Sequence, residues 1–269
     1  MNNSNLPESG QGELERRLLS ETFLRGVEIH DEIDSTNTRA LQIQTASDQR
    51  PYLIWAHQQT SGRGRGRNNW WASGGSLTFT LLLDPDAFEI PRSQWPALSL
   101  SVGTAICQQL MGMQVGNVRL KWPNDVYVDS RKIAGVLIES IPAHPGVLAI
   151  GIGLNVNNSL AQAPAALSGT ATSLVDQLGL ELSLADVLIS LLQELDQVLQ
   201  LLGRNPDSLP QLWRSLCMLT SRQVTIRDVQ QTTTGIVHGI DDDGALQLRT
   251  TAGLKRVFSG TIEIEPEST

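Results

Sequence analysis

The sequence predicts an α+β fold: a mixed, mainly antiparallel sheet backed by helices on one face, followed by a small C-terminal β-barrel. Three observations point there. Residues 118–152 carry four short apolar strands joined by tight Asn-Asp and Asp-Ser turns, and short connections favour antiparallel neighbours. Two segments, Trp95 to Met111 and Leu184 to Leu202, repeat apolar residues at helical intervals. After Gln223 the pattern shortens to five strands within fifty residues, the mark of a separate β domain.

In chain order, Glu13 to Leu24 reads as a short helix after a polar start over residues 1–11 that is expected to fray. Val27 to Ile33 alternates as a strand, and Asp34-Ser35 offers an N-cap for a helix from Thr36 to Gln44. Tyr52 to Ala56 and Leu77 to Leu83 are apolar strands on either side of a glycine- and arginine-rich loop, residues 57–75. The strands Val118 to Trp122, Val126 to Val128, Ile133 to Ile141 and Val147 to Ile152 follow the first long helix. Residues 155–170 form a small-residue loop. Ser183 with Asp186 makes a capping-box-like start for the second long helix, and Leu209 to Leu219 is a last short one. The remaining strands are Val224 to Arg227, Thr234 to Ile240, Ala245 to Thr250, Lys255 to Ser259 and Ile262 to Ile264. This divides the chain into an N-terminal tail and helix (1–25), a main domain (26–218) and a β domain (219–269).

Composition bounds the function. Of 269 residues, 40% are apolar and 18% charged, a globular balance, and the net charge of −8 argues against a general nucleic-acid binder. The two cysteines, Cys107 and Cys217, and four scattered histidines suggest neither a disulfide framework nor a zinc site, and a cytoplasmic protein is expected. No signal peptide opens the chain, and Leu184 to Leu202 is too interrupted by polar residues to span a membrane.

Four segments carry chemistry. In Gly62-Arg63-Gly64-Arg65-Gly66-Arg67, glycines let the backbone approach a ligand and arginines supply planar cationic forks for carboxylate or phosphate. The same segment also reads as a solvated or nucleic-acid-binding loop, but its place between two strands and the closing Trp70-Trp71 favour an ordered anion site. Lys121-Trp122-Pro123-Asn124-Asp125 and Arg131-Lys132 bring two lysines to a hairpin, with Asp125 able to hold Mg2+; for the spacing alone, an ordinary turn with solvated lysines is the better reading. Gly151-Ile152-Gly153-Leu154-Asn155 is half a dinucleotide fingerprint with no third glycine or helix, and reads as a strand-end turn or a close approach to a flat ligand. Ser35-Thr36-Asn37 could bind a polar head group, although a helix N-cap accounts for Ser35.

The order of these segments is more telling than any one. Ser-Thr-Asn, Gln-Thr-x-Gly-Arg-Gly-Arg, Lys-Trp-Pro-Asn-Asp, Arg-Lys-x-Ala-Gly-x-Leu-x-Glu and Gly-x-Gly-x-Asn together resemble the biotin protein ligase family over about residues 27–160. The resemblance implies a class II synthetase-like domain with an SH3-like C-terminal barrel. It implies an enzyme that uses ATP and Mg2+ to activate biotin as biotinyl-5′-AMP and passes it to a lysine of a biotin carboxyl carrier protein.

Carried over, Ser35, Thr36, Asn37 and Gln59 would bind the biotin ring, with Arg63, Gly64 and Arg65 on the loop over biotin and the adenylate, where Arg63 and Arg65 also meet ATP. Gly135, Leu137, Gly151 and Gly153 would floor the biotin pocket, and Lys132 would meet carboxylate and phosphate. Trp70, Lys121, Asn124, Asp125 and Asn155 would line the nucleotide, with Asp125 toward Mg2+ and Arg65 and Lys132 as the catalytic pair. Some relatives have Arg where Gly66 or Asn68 stands here, so a phosphate contact from those two positions is not carried over. Repressor members begin with a helix-turn-helix domain; here the first strand starts at Val27, so a ligase that binds no DNA is expected. Two other readings are a lipoate or octanoate enzyme of the same fold and a non-enzymatic nucleic-acid binder; homodimerisation through an exposed sheet edge is left open.

Overall fold

The structure, a computed structural model, describes residues 8–265 apart from 44, 46, 67, 161, 162, 164–166, 168, 229 and 230. Arg67, most of the expected N-terminal fray and parts of the 155–170 loop lie outside the described residues.

Helix α1 (Glu8–Glu21) starts earlier and stops earlier than its apolar spacing predicts. The stop has a local cause: the Thr22 hydroxyl donates to the Leu18 carbonyl at 2.6 Å and accepts the Leu24 N–H at 3.3 Å, offering the backbone a non-helical exit. Strand β1 (Gly26–Ile33) pairs in parallel with β2 (Tyr52–Gln59), and helix α2 (Thr36–Gln42) lies in the crossover between them. Strand β3 (Ser76–Leu83) returns antiparallel to β2. Helix α3 (Leu98–Gly112) begins after a 3-10 segment, Arg92–Ala97, which holds Pro96; a residue without an N–H delays the α-helix expected from Trp95.

Strands β4 (Val118–Lys121), β5 (Asp125–Val128), β6 (Arg131–Ile141) and β7 (His144–Asn155) form the antiparallel meander that the short turns predict. Strand order in the seven-stranded sheet is β1-β2-β3-β7-β6-β5-β4, which puts β1 and β4 at its edges. Helix α4 (Leu174–Leu178) is followed by α5 (Leu184–Arg204), where the Ser183 side chain accepts the Asp186 N–H as expected. Helix α6 (Leu209–Leu216) ends short of Leu219 because Met218 N–H turns to the Leu120 carbonyl at 3.0 Å.

The sheet has two unlike faces, and the split follows the strand period of two. Leu53, Trp55, Phe79, Leu81, Ile150, Ile152 and Leu154 point into the large core with α3 and α5. Ile54, Leu82 and Ala149, one residue out of phase, face a small second core with Ala40 of α2. The expectation of helices on one face is therefore corrected: α2 lies on the opposite face from α3 and α5. Seven residues with one fully buried alanine carry too little pattern to show that side.

Strands β8 (Gln223–Arg227), β9 (Thr232–Ile240), β10 (Leu246–Thr250), β11 (Gly253–Val257) and β12 (Thr261–Ile264) make an antiparallel sheet in the order β11-β10-β9-β8-β12. It fits the SH3-like expectation in strand number and pairing. Among the described residues the ladder is open, with β11 and β12 at its ends. The turn between β9 and β10 docks on the first domain: the buried Trp122 donates Nε1–H to the Gly244 carbonyl at 2.9 Å. Trp122→Phe keeps an aromatic ring at the site, gives up part of the indole's packing and orphans that buried carbonyl. It should lower unfolding free energy by about 1–3 kcal/mol in a denaturant titration; wild-type stability would show that the bond contributes nothing.

Candidate active site

A cavity of about 410 Å3 opens on the α2 side of the large sheet. Strand β7 shows why. Ala149, Gly151 and Gly153 face this side while Ile150, Ile152 and Leu154 fill the core, so the sequence alternates small with large. The Gly-x-Gly pair is thus inside a strand, which sets aside the strand-end turn and leaves the close-approach reading. A Cβ at Gly151 would run into the Asn37 amide, and one at Gly153 into the Trp70 indole.

One end of the cavity is a neutral polar nest. Gln59 Oε1 accepts the Thr36 N–H at 2.7 Å and faces the Thr36 hydroxyl at 3.2 Å, which leaves its Nε2 to donate elsewhere. The Thr80 hydroxyl lies 2.8 Å from Thr36 Oγ1 and donates to Asn37 Oδ1 at 2.7 Å. Asn37 Nδ2 donates to Glu139 Oε2 at 3.0 Å. Ser35 holds the N-cap backbone position of α2, but its side chain caps nothing; this corrects the reading in which capping explains it. Buried polar groups so fully fixed suit a small ring with its own donors and acceptors.

Residues 62–66 and 68–70 fold over the cavity as a flap. It is a narrow hairpin: Gly64 N–H donates to Asn68 O at 2.8 Å and Trp70 N–H to Gly62 O at 2.9 Å. A Cβ at Gly62 would stand 2.5 Å from the Trp70 carbonyl, and Gly66 turns at φ +67°. These glycines serve the flap's own backbone as well as any ligand. Arg63 donates to Glu139 Oε1 at 2.7 Å, and Arg65 to the Gly260 carbonyl of the second domain at 3.2 Å.

The other end is cationic. Asp125 and Gly135 are partners across β5 and β6, as are Tyr127 and Lys132, with a β-bulge between the two pairs. The extra residue is Ile133, buried in the core beside Ala134. The bulge turns Lys132 out of the core and onto the cavity face, where its Nζ lies 2.6 Å from Asp125 Oδ1 and 5.9 Å from the Trp70 ring centre. Burial pushes the Lys121 ammonium below its ordinary range, with Lys132 adding to the fall and Asp125 opposing it. Burial also lowers Arg65, against Asp125 and Asp228. Tyr127 is pushed up to about 12 by burial. Half-buried like charges held together favour an anion between them.

Ser35, Thr36, Asn37, Gln59, Arg63, Gly64, Arg65, Trp70, Lys121, Asn124, Asp125, Lys132, Gly135, Leu137, Gly151 and Gly153 all line this cavity. Asn155 does not: its amide is spent on the Thr172 carbonyl at 3.0 Å and on Asn158 at 2.9 Å. Sequence reading missed Thr80, although a hydroxyl inside an apolar strand was a visible signal, and gave no role to Glu139, the last residue of the Arg-Lys-x-Ala-Gly-x-Leu-x-Glu motif. It also missed the wall from the second domain, Arg227, Asp228 and residues 259–262, which no motif marks. No group of three acidic, His or Cys side chains able to hold a metal exists among the described residues. The arrangement suits an elongated ligand with a neutral hydrogen-bonding head, an apolar middle and an anionic tail.

The profile of the biotin/lipoate A/B protein ligase family matches residues 30–157, and that of the biotin protein ligase C-terminal domain matches residues 222–264. The chain is 30% identical to the bifunctional ligase/repressor BirA of Bacillus subtilis, over 94% of this chain and 78% of that relative. It is 33% identical to the biotin--[acetyl-CoA-carboxylase] ligase of Mycobacterium tuberculosis, over 83% of each. The biotin protein ligase of Aquifex aeolicus, solved with biotin and ATP, superposes with a TM-score of 0.77 at 27% identity, covering 90% of this chain and 99% of that one.

Gly153→Ala tests the close seat of Trp70. Overpacking should cost about 1–3 kcal/mol in denaturant unfolding and expose Trp70 to acrylamide, with Trp70→Phe identifying that signal. Unchanged stability and quenching would mean that the ring is not seated on this strand.

Proposed function

The chain belongs to the biotin protein ligase family and is an ATP-dependent biotin–protein ligase; from that premise we propose how its residues divide the reaction. One observation carries the proposal: a neutral polar nest and a cationic cluster share one cavity, at opposite ends, under one flap. The nest of Ser35, Thr36, Asn37 and Gln59 takes the biotin ring. Gly135, Leu137, Gly151 and Gly153 give its floor, and the flap from Arg63 and Gly64 covers the tail. Trp70 packs on the adenine. Asn124 and Lys121 line the nucleotide, and Arg65 and Lys132 meet the charge that grows at phosphorus.

In the first step a biotin carboxylate oxygen bonds to the α-phosphorus of ATP and the bond to the bridging oxygen breaks, releasing pyrophosphate. Two anions must meet, so fixed cations in a half-buried site lower the barrier. Asp125 faces the cationic end, with Asp228 on the wall from the second domain, which fits the usual mode of Mg2+, held by one or two carboxylates and the phosphates themselves. There the ion would neutralise phosphate charge. In the second step a carrier lysine amine attacks the acyl carbon and AMP leaves. The flap keeps water from the mixed anhydride meanwhile.

The acceptor is a carboxyl carrier protein, as the names of the relatives suggest, and the protein works in the cytoplasm without DNA. No helix among the described residues is long and apolar enough to cross a membrane. The working units are taken as residues 26–218 for catalysis and 219–269 for the C-terminal domain.

Incubation with labelled biotin, MgATP and a carrier domain should transfer label to the carrier; no transfer sinks the proposal. Thermal shift with ATP should respond to biotin and not to lipoate, because the nest has polar partners for a ureido ring. Arg65→Ala should slow biotin-dependent pyrophosphate exchange by roughly tenfold or more, the scale for losing one charge-stabilising donor. Lys132→Ala should weaken biotin binding and adenylation together, and wild-type values would remove it from the site.

A further inference from the structure

We propose that Glu139 is a positioning residue that ties the flap to the head-group end of the cavity, so that holding the adenylate depends on how the head group is held. The proposal rests on reading this cavity as the biotinyl-adenylate site. Glu139 has two carboxylate oxygens and a separate partner for each. Arg63, on the flap, donates to Oε1 at 2.7 Å; Asn37, on α2, donates to Oε2 at 3.0 Å.

Beyond Asn37 the chain of polar contacts continues. Asn37 Oδ1 can only accept, so the single Thr80 proton goes to it at 2.7 Å. Thr80 Oγ1 touches Thr36 Oγ1 at 2.8 Å, and the Thr36 N–H donates to Gln59 Oε1 at 2.7 Å. The path is unbroken from the residues around the ring to the flap guanidinium. Its interior is stiff: Thr36, Asn37 and Thr80 are all 5% exposed or less. The Asn37 amide cannot flip without turning its oxygen toward the Glu139 carboxylate and its nitrogen away from it. A head group that presses on Asn37 therefore presses on Glu139, and through it on Arg63.

The two flap arginines among the described residues differ accordingly. Arg63 has its counter-charge in the protein. Arg65 has no carboxylate within ion-pair distance among the described residues; its recorded contact is a carbonyl. Arg63 serves to latch the flap, and phosphate charge falls to Arg65. The Arg63–Glu139 pair is partly exposed, so it adds little to global stability, and its effect belongs in the lifetime of the closed state.

The full-length protein and its Glu139→Gln, Arg63→Ala and double variants are each loaded with labelled biotin and MgATP. Release of the adenylate into excess unlabelled biotin is then timed. Glu139→Gln should release it roughly tenfold faster, with biotin KM raised and kcat of adenylation within about threefold of wild type, the split expected of a lid residue. Arg63→Ala, which leaves the strand untouched, should release it as fast. Combining the two should speed release no further, since the carboxylate acts through that guanidinium. Wild-type release from Glu139→Gln, or effects that multiply in the double variant, overturn the proposal. If the unaltered protein forms no adenylate, the underlying site assignment fails with it, and that control tells the two failures apart.

Discussion

The alternation of side-chain size along β7 is the constraint on which the rest of the structure depends. Branched residues at 150, 152 and 154 bind the sheet to α3 and α5, while alanine and glycine at 149, 151 and 153 keep the other face low. Because the side-chain period of a strand is two, the same six residues supply a core and a binding surface with no extra chain. Asn37 and Trp70 then approach the backbone itself, closer than any Cβ would allow. A flat ligand can lie on peptide groups, and the polar groups that recognise it come in from α2 and the flap.

Much of this was legible in the sequence, for physical reasons that differ by element. The strands and long helices carry several periods of apolar pattern, and α5 even announces its start through Ser183. Ser35 shows the limit: a residue type favoured as a cap tells nothing of whether its hydroxyl turns back to the helix. Local pattern left the Gly-x-Gly pair open between a turn and a floor, because glycine marks turns as well as close approaches; the motif resemblance favoured the floor. The side on which α2 packs, the inward turn of the Asn155 amide and the wall given by residues 259–262 are long-range outcomes of docking. They leave no trace in local pattern. The motif series located the cavity; it held Glu139 without giving it a role and did not hold Thr80, and both matter through what they hold.

Electrostatics and burial pull in opposite directions at the cationic end. Lys121 and Arg65 sit where desolvation lowers their affinity for protons, and Lys132 makes this worse for Lys121. Asp125 offsets part of the strain by pairing with Lys132. The free protein thus holds charge at a cost to itself, and a polyanionic ligand relieves it. Relief of that kind is strongest when charge is greatest, which is the condition at a crowded phosphorus centre.

The single surplus residue at Ile133 has a consequence for how this chain tolerates changes of length. Trimming one position anywhere between the 129–130 turn and Ala134 would erase the offset and swing the ammonium of Lys132 among the hydrocarbon side chains behind the sheet. The turn itself is a surface feature, where indels are usually harmless. Here its neighbour sets the parity of the strand, so descendants of this sequence can vary the turn's residues but not the count that follows it.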